Sequence, residues 1–268
     1  MQYNLKRKQY PSGEEQITTY SLPIRYDLTR KARSCSKNEY ANIKEAQYRA
    51  KQSEKSSLAR TRNKIYDLAR SNATSFTYFL TITFSPQKVD SFSYSKVSVK
   101  LSRFLSNFKR RCPSLRYIGV PEKHKSGRFH FHFLVSKEIE KWLVDSNVKT
   151  KEGDTVYNFS AFHLGYTTVT QIRDPFKTTR YITKYITKSL IDSTPGKGKK
   201  RYWHSSNLVV PQEQKLLLEK KTLDKYNDLL KKKADYHKLI QYEFSNDIQE
   251  NIQEINIYEI NHHNNAEK

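Results

Sequence analysis

Two short apolar segments, separated by a few polar residues, constrain the fold of this chain more than any other feature. Leu115–Val120 and Phe129–Val135 are rich in aromatic and β-branched residues, which is typical of strands. The residues between them include Ser126-Gly127, a pair that favours a tight turn. Strands joined by such a turn run antiparallel, because a parallel connection needs a long crossover. The chain is therefore predicted to contain a β-hairpin within an antiparallel sheet.

Other segments alternate between strand and helix periodicity. The remaining strands are predicted at Phe76–Phe84, Gly165–Ile172 and, as a short one, Arg201–Trp203. Helices are predicted at Ser36–Ser71, Ser95–Arg111, Glu138–Val144 and from Asp174 to about Leu190. This order predicts an α+β fold, in which helices cover one face of a mainly antiparallel central sheet of about five strands.

Composition divides the chain into three predicted regions. Residues 1–36 are expected to form a basic, irregular arm, and residues 37–210 the main domain with its N-terminal helix. Residues 211–268 are expected to form a helical extension, with a long amphipathic helix over Glu213–Leu239 and an acidic tail rich in Asn and Ile. The pattern leaves open whether the tail instead adds a strand around Ile255–Ile260.

Charge narrows the class of partner. Forty-nine Lys and Arg against 27 Asp and Glu give a net charge of +22. Residues 211–268 carry nine basic and eleven acidic side chains, so residues 1–210 carry +24. Such a surface binds polyanions, and no predicted helix combines a basic face with the wide apolar face of a membrane-surface helix. We therefore expect nucleic acid as the partner and no membrane.

The two cysteines and the N-terminus bear on the compartment. Cys35 and Cys112 form no CxxC pair, which argues against a disulfide scaffold or a cysteine zinc site and fits a reducing compartment. The first ten residues lack the apolar segment of a secretory signal, and no apolar run approaches 18 residues. We expect a cytoplasmic protein, in the host cytoplasm if the chain is viral.

One strand carries a candidate metal site. In FHFHFLV, His130 and His132 stand at positions i and i+2, so both imidazoles leave the same face of the sheet and can chelate a divalent cation. Glu122 lies across the hairpin and is expected to bring its carboxylate close to them. The alternative is a half-exposed strand whose polar face happens to contain histidine.

A candidate nucleophile lies on the predicted helix that contains RYITKYITK. Tyr181 and Tyr185 stand at i and i+4, as do Lys184 and Lys188, so each pair shares nearly one face of the helix. A phenol can act as a covalent nucleophile when a metal or a cation stabilises the phenolate. The alternative is an amphipathic helix with packed tyrosines and solvated lysines.

Three motifs occur in the order that is found in the HUH endonucleases. FLTITF at 79–84 resembles the first motif of that superfamily, FHFHF at 129–133 its metal-binding motif, and RYITKYITK at 180–188 its two-tyrosine helix. The chain looks like a two-tyrosine rolling-circle replication initiation protein, most like those of microvirus-type single-stranded DNA phages and related plasmids. The resemblance covers roughly residues 55–205 and implies an HUH/RRM-like sheet.

The resemblance also implies a chemistry. Tyr181 or Tyr185 would attack single-stranded or supercoiled origin DNA, which leaves a 5′-phosphotyrosine and a free 3′-hydroxyl. Mg²⁺ or Mn²⁺ would be held by His130, His132 and Glu122, with the lysines beside the attacked phosphate. Host helicase and DNA polymerase are the implied partners.

Two alternatives remain open. A plasmid relaxase or a transposase shares the chemistry, but relaxases usually carry three histidines and such transposases usually one tyrosine. A non-catalytic module that binds RNA or DNA would use the tyrosines only for packing. For either class, a basic groove with stacking rings suits single strands, and the candidate rings are Phe79, Tyr117, Tyr166 and Trp203.

Overall fold

The computed structural model describes residues 1–26, 43–174, 199–246 and 249–261. These residues form two compact units. One unit spans residues 43–209, and the other combines the described residues of 1–42 and 210–268.

Within the described residues, twelve strands and three α-helices are present. The strands are β1 (Gln2–Gln9), β2 (Glu15–Arg25), β3 (Tyr78–Phe84), β4 (Tyr117–Lys123), β5 (Phe129–Val135), β6 (Leu143–Lys149), β7 (Thr155–Phe159), β8 (Gly165–Gln171), β9 (Trp203–His204), β10 (Gln212–Leu216), β11 (Tyr236–Asn246) and β12 (Gln249–Ile260). The helices are α1 (Ile43–Ser71), α2 (Tyr94–Arg111) and α3 (Lys220–Lys233). Short 3-10 turns occupy Ala73–Ser75 and Lys137–Trp142. None of the described helices is long and apolar enough to cross a membrane.

The unit of residues 43–209 is built on a seven-stranded sheet with the order β6-β7-β8-β3-β5-β4-β9. Each described neighbour pair in it is antiparallel, which confirms the predicted α+β class. The expected count of about five strands was too low, because the hairpin β6–β7 was missed. Most side chains of β6 are exposed or half-buried, so the apolar alternation that identifies a strand is weak there.

One face of this sheet packs against α2. Val97, Leu101 and Leu105 lie on one side of that helix and share a buried cluster with Phe131 and Phe133 of β5. This is the burial that the helical spacing of the apolar residues predicts. The cluster forms the larger of the two cores in the unit.

Helices do not cover one face only, as expected, but both. Ile65 and Leu68 of α1 share a second buried cluster with Ile118 of β4 and Leu134 of β5. These two strand residues point away from α2, since their neighbours in each strand point toward it. The apolar character of β4 on both faces is what requires the second helix.

Gly119 of β4 is required by close packing. A Cβ atom built there would lie 2.1 Å from ring carbons of Phe133, which is fully buried. We expect Gly119→Ala to lower the free energy of unfolding by about 1–3 kcal/mol, the usual cost of overfilling a packed core. Urea unfolding measures this, and a midpoint equal to that of the parent protein would contradict the close approach.

The second unit corrects the expectations for both chain ends. Residues 1–36 are not an irregular arm, because β1 and β2 form a hairpin around a turn at Gly13, whose φ is +86°. The long helix expected over Glu213–Leu239 is also wrong, since β10, α3 and the start of β11 share that segment. The alternative of a strand near Ile255–Ile260 is confirmed by β12.

These segments form a five-stranded antiparallel sheet with the order β10-β1-β2-β12-β11. Its core joins Leu5 and Ile17 to Leu230 of α3 and Tyr258 of β12. Both chain ends, which we expected as a separate arm and extension, thus contribute strands to one sheet. Basic composition concealed the strands, because the apolar residues of β1 are few and separated by lysine and arginine.

Candidate active site

The two histidines of β5 lie on the face of the seven-stranded sheet that is opposite α2. Phe129, Phe131 and Phe133 point into the α2 core, so the alternating positions His130 and His132 point to the other side. His132 is nearly buried and His130 is half-buried. Both imidazoles are therefore on one face, as the i, i+2 spacing predicts.

Hairpin register brings Glu122 to the same place. The turn closes with the His124 N–H donating to the Arg128 carbonyl at 2.8 Å, and Gly127 adopts a φ of +85°. Glu122 is then directly paired with His130 across β4 and β5. Its Oε2 lies 2.6 Å from Nε2 of His132, so the carboxylate contacts the diagonal histidine.

Two threonines of β3 orient the histidines, a feature that sequence reasoning missed. Oγ1 of Thr81 lies 3.0 Å from Nδ1 of His132, and Oγ1 of Thr83 lies 3.0 Å from Nδ1 of His130. Each threonine is the direct antiparallel partner of its histidine. The alternating threonines of FLTITF were a visible signal, but pairing them with β5 required the tertiary structure.

Burial favours the neutral form of both imidazoles. It lowers the pKa of His132, although the hydrogen bond to Glu122 opposes this. It also lowers the pKa of His130, and the neighbouring positive charges of His124 and His132 act in the same direction. The His132–Glu122 contact is thus a hydrogen bond between a neutral ring and a carboxylate. A neutral imidazole is the form that binds metal ions.

His124 is a further neighbour of this site. It was predicted to be a turn or surface histidine, and it does lie exposed in the hairpin turn. Its ring centroid is nevertheless 5.1 Å from that of His130. The signal was its i+2 spacing from Glu122, which continues the same face of β4 into the turn.

The donors present fit a divalent cation. When Nδ1–H of each histidine donates to its threonine, Nε2 keeps a lone pair for a metal, as second-shell partners of ligating histidines commonly arrange. Adjacent ligands with bonds of about 2.1 Å at a right angle lie about 3.0 Å apart. The 2.6 Å separation of His132 Nε2 and Glu122 Oε2 is within a few tenths of an ångström of that value.

The complete ligand set is not formed in the structure. Among the described residues, no three His, Cys, Asp or Glu side chains converge in the manner of a metal site. The structure brings together the pair His132 and Glu122 and places His130 beside it. The three-ligand set of His130, His132 and Glu122 therefore stays a prediction.

We expect Thr81→Val, which keeps the shape but removes the hydroxyl, to lower the affinity for Mn²⁺ by about 10- to 100-fold, the usual effect of losing an outer-shell partner. Thr81→Ser, which keeps the hydroxyl, should stay close to the parent protein. Titration of Mn²⁺ followed by electron paramagnetic resonance measures both variants without any DNA. Equal affinities for valine and serine would show that Thr81 does not orient His132.

The predicted nucleophiles lie outside the described residues. Tyr181, Tyr185, Lys184 and Lys188 belong to the segment 175–198, which the structure does not describe. Their roles stay predictions from the sequence.

The expected stacking rings are mostly unsuited to that role. Trp203 is 1% exposed, donates its indole N–H to Ser102 and belongs to the α2 core, and Tyr117 is also buried. Phe79 stacks on His132 with ring centroids 5.7 Å apart. Tyr166 is 69% exposed and pairs directly with Thr83, so its ring lies on the face that carries the histidines.

Comparison with known proteins gives one match. The model of a family described as replication-associated protein ORF2 matches residues 77–190. That segment is less than half of the chain, but it includes β3, β4, β5 and the RYITKYITK motif. No curated protein and no solved structure matches the chain. The likeness to this family supports a role in DNA replication.

Proposed function

We propose that the protein is a metal-dependent DNA nicking and joining endonuclease that initiates and terminates rolling-circle replication. The observation that carries the proposal is the cluster of His130, His132 and Glu122 on one sheet face. This cluster lies within the segment that is similar to replication-associated proteins, and the tyrosine motif follows it in the same segment.

Each candidate residue has a role in this reaction. A phenol of Tyr181 or Tyr185 loses its proton and attacks the phosphorus of one phosphodiester in single-stranded DNA. The bond from phosphorus to the 3′ oxygen breaks, and that oxygen takes up a proton to become a free 3′-hydroxyl. The product is a 5′-phosphotyrosine, and attack of a 3′-hydroxyl on it reverses these steps and joins the strand.

The surroundings of the phosphate would stabilise the transition state. His130, His132 and Glu122 would hold Mg²⁺ or Mn²⁺, which supplies a Lewis acid for a phosphate oxygen. Lys184 and Lys188 would add positive charge beside the attacked phosphate, where charge stabilisation is worth most. Thr81 and Thr83 keep the imidazoles turned toward the cation.

A covalent adduct is the direct test of the proposal. The full chain is incubated with single-stranded oligonucleotides that tile the replicon encoding it, in the presence of Mn²⁺ or of a chelator. We expect one oligonucleotide to yield a protein band that is shifted on a denaturing gel only with metal. Tight DNA binding with no adduct on any oligonucleotide would instead support a non-catalytic binding module.

Extension of the nicked strand defines the wider setting. A free 3′-hydroxyl is a primer, so we propose that host DNA polymerase and helicase act after the nick. A supercoiled origin would also serve as substrate, because negative supercoiling favours the extrusion of single strands.

A further inference from the structure

A basic cleft lies beside β9, at the edge of the seven-stranded sheet. It has a volume of about 530 Å³, which is within the usual size of ligand pockets. Ser57 and Thr61 of α1 form one wall, and residues 199–202 with His204 form the other. We call this the β9 cleft. It lies on the α1 side of the sheet, because His204 pairs directly with Ile118, whose side chain packs under α1.

The charge of the β9 cleft is of one sign. Lys199, Lys200 and Arg201 are consecutive, and none of the described lining residues is acidic. No carboxylate in the described part of the chain forms an ion pair with these three side chains. The guanidinium of Arg201 donates one hydrogen bond to Ser57 Oγ at 2.9 Å, which orients its remaining donors. Such a wall suits phosphate oxygens.

A flat ring stands next to the cations. The rings of Tyr202 and His204 are stacked, with centroids 5.5 Å apart and an angle of 17° between their planes. Tyr202 is half-buried against the α1 core, whereas His204 is exposed. The outer face of the imidazole is thus held in place by the tyrosine, which is the arrangement of a platform for a nucleobase.

Position relates the β9 cleft to the candidate metal site. His204 pairs with Ile118, Ile118 pairs with Leu134, and His132 stands two residues from Leu134 on the same face. Two strand spacings and two residues of strand place the two histidine Cα atoms about 12 Å apart. A single strand bound at the candidate metal site could therefore reach the cleft within a few nucleotides.

We propose that the β9 cleft binds one nucleotide of single-stranded DNA, with its phosphate on Lys200 and Arg201 and its base on His204. The choice of DNA as ligand rests on the proposed function. Binding here would fix a nucleotide a few positions from the cleaved bond and so contribute to the choice of the cleavage site.

The first test removes the charges. A fluorescent oligothymidylate of about twelve nucleotides is titrated with the full chain at several KCl concentrations. Lys200→Gln with Arg201→Gln should reduce the slope of log affinity against log salt by about 1.4, which is about 0.7 for each lost contact. The matched control is Lys100→Gln with Arg103→Gln, which removes the same two charges from the exposed side of α2. Equal slopes for the two double variants would overturn the proposal.

The second test removes the platform. His204→Ala should weaken oligothymidylate binding about 5-fold or more at all salt concentrations, whereas His204→Phe should retain or strengthen it. His204 is exposed, so thermal unfolding should be unchanged in both variants. Equal binding by alanine and phenylalanine would exclude stacking. Tighter binding of an oligouridylate RNA that depends on the same residues would exclude DNA as the ligand.

Failure of the proposed function can be told apart from failure of this inference. The covalent adduct is measured on the same proteins at saturating DNA. If the parent protein forms the adduct and the cleft variants bind like the control, the β9 cleft is not a nucleotide site, but the nicking function stands. If no adduct forms and the cleft variants still lose binding, the cleft is supported and the nicking function is not.

Discussion

Replacing both Tyr181 and Tyr185 with phenylalanine is expected to abolish the covalent DNA adduct, a loss of at least about 1,000-fold in cleavage rate. The reason is that phenylalanine keeps the ring but removes the oxygen that attacks phosphorus, and loss of a nucleophile has effects of this size or larger. Denaturing gels with labelled oligonucleotide measure the adduct. Tyr236→Phe, at an exposed tyrosine of β11, is the matched control and should behave like the parent protein.

The single variants separate two nucleophiles from one. Tyr181→Phe and Tyr185→Phe should each keep some cleavage, because one phenol suffices to cut a strand. Each should lose the coupled step in which one tyrosine holds the 5′ end while the other attacks the regenerated origin. If one single variant shows parent-level cleavage and parent-level release of unit circles, then the protein works with a single tyrosine.

His132→Ala is expected to lower Mn²⁺ affinity by at least about 100-fold, more than the loss of an outer-shell partner, and to remove the covalent adduct with it. The substitution deletes a nitrogen that contacts Glu122 at 2.6 Å and leaves that carboxylate without its histidine. Affinity for single-stranded DNA should stay within about 2-fold, since no cation of the basic surface is changed. Isothermal titration with Mn²⁺ and anisotropy with DNA measure the two quantities separately.

Two further variants protect this experiment from a folding artefact. His132 is nearly buried, so His132→Gln serves as a variant that fills more of the space and keeps a hydrogen-bonding group. It should unfold close to the parent temperature and still bind Mn²⁺ weakly. His163→Ala, at an exposed histidine of the same unit, should change neither quantity. Full nicking activity in His132→Ala would show that the histidine pair is not the metal site.

The candidate site shows how far local rules extend. The period of two in a strand predicted that His130 and His132 share a face, and the Ser126-Gly127 turn predicted that Glu122 comes close to them. Both follow from residues within one hairpin, and the structure places them so. Thr81 was not predicted as a partner of His132, because their pairing depends on a strand 51 residues away in sequence.

Burial was the second quantity that local pattern did not supply. Trp203 and Tyr117 were expected to stack on bases, since aromatic residues in a basic chain often do so. In the structure both rings are buried in the α2 core. An aromatic residue has the same composition signal in a core and in a binding groove, and only its neighbours in space distinguish the two.

By itself, the sequence determined the features that depend on neighbours along the chain: the antiparallel hairpin of β4 and β5, helix α2 with its apolar face, and the concentration of positive charge in residues 1–210. Only the tertiary structure decided which strands adjoin. It joined β1 near the start of the chain to β10, pairing Leu5 with Leu216, and it placed β3 between β5 and β8. The physical reason is that strand pairing is stabilised by side-chain contacts across the sheet, and no repeat or spacing along the chain records which distant segments make them.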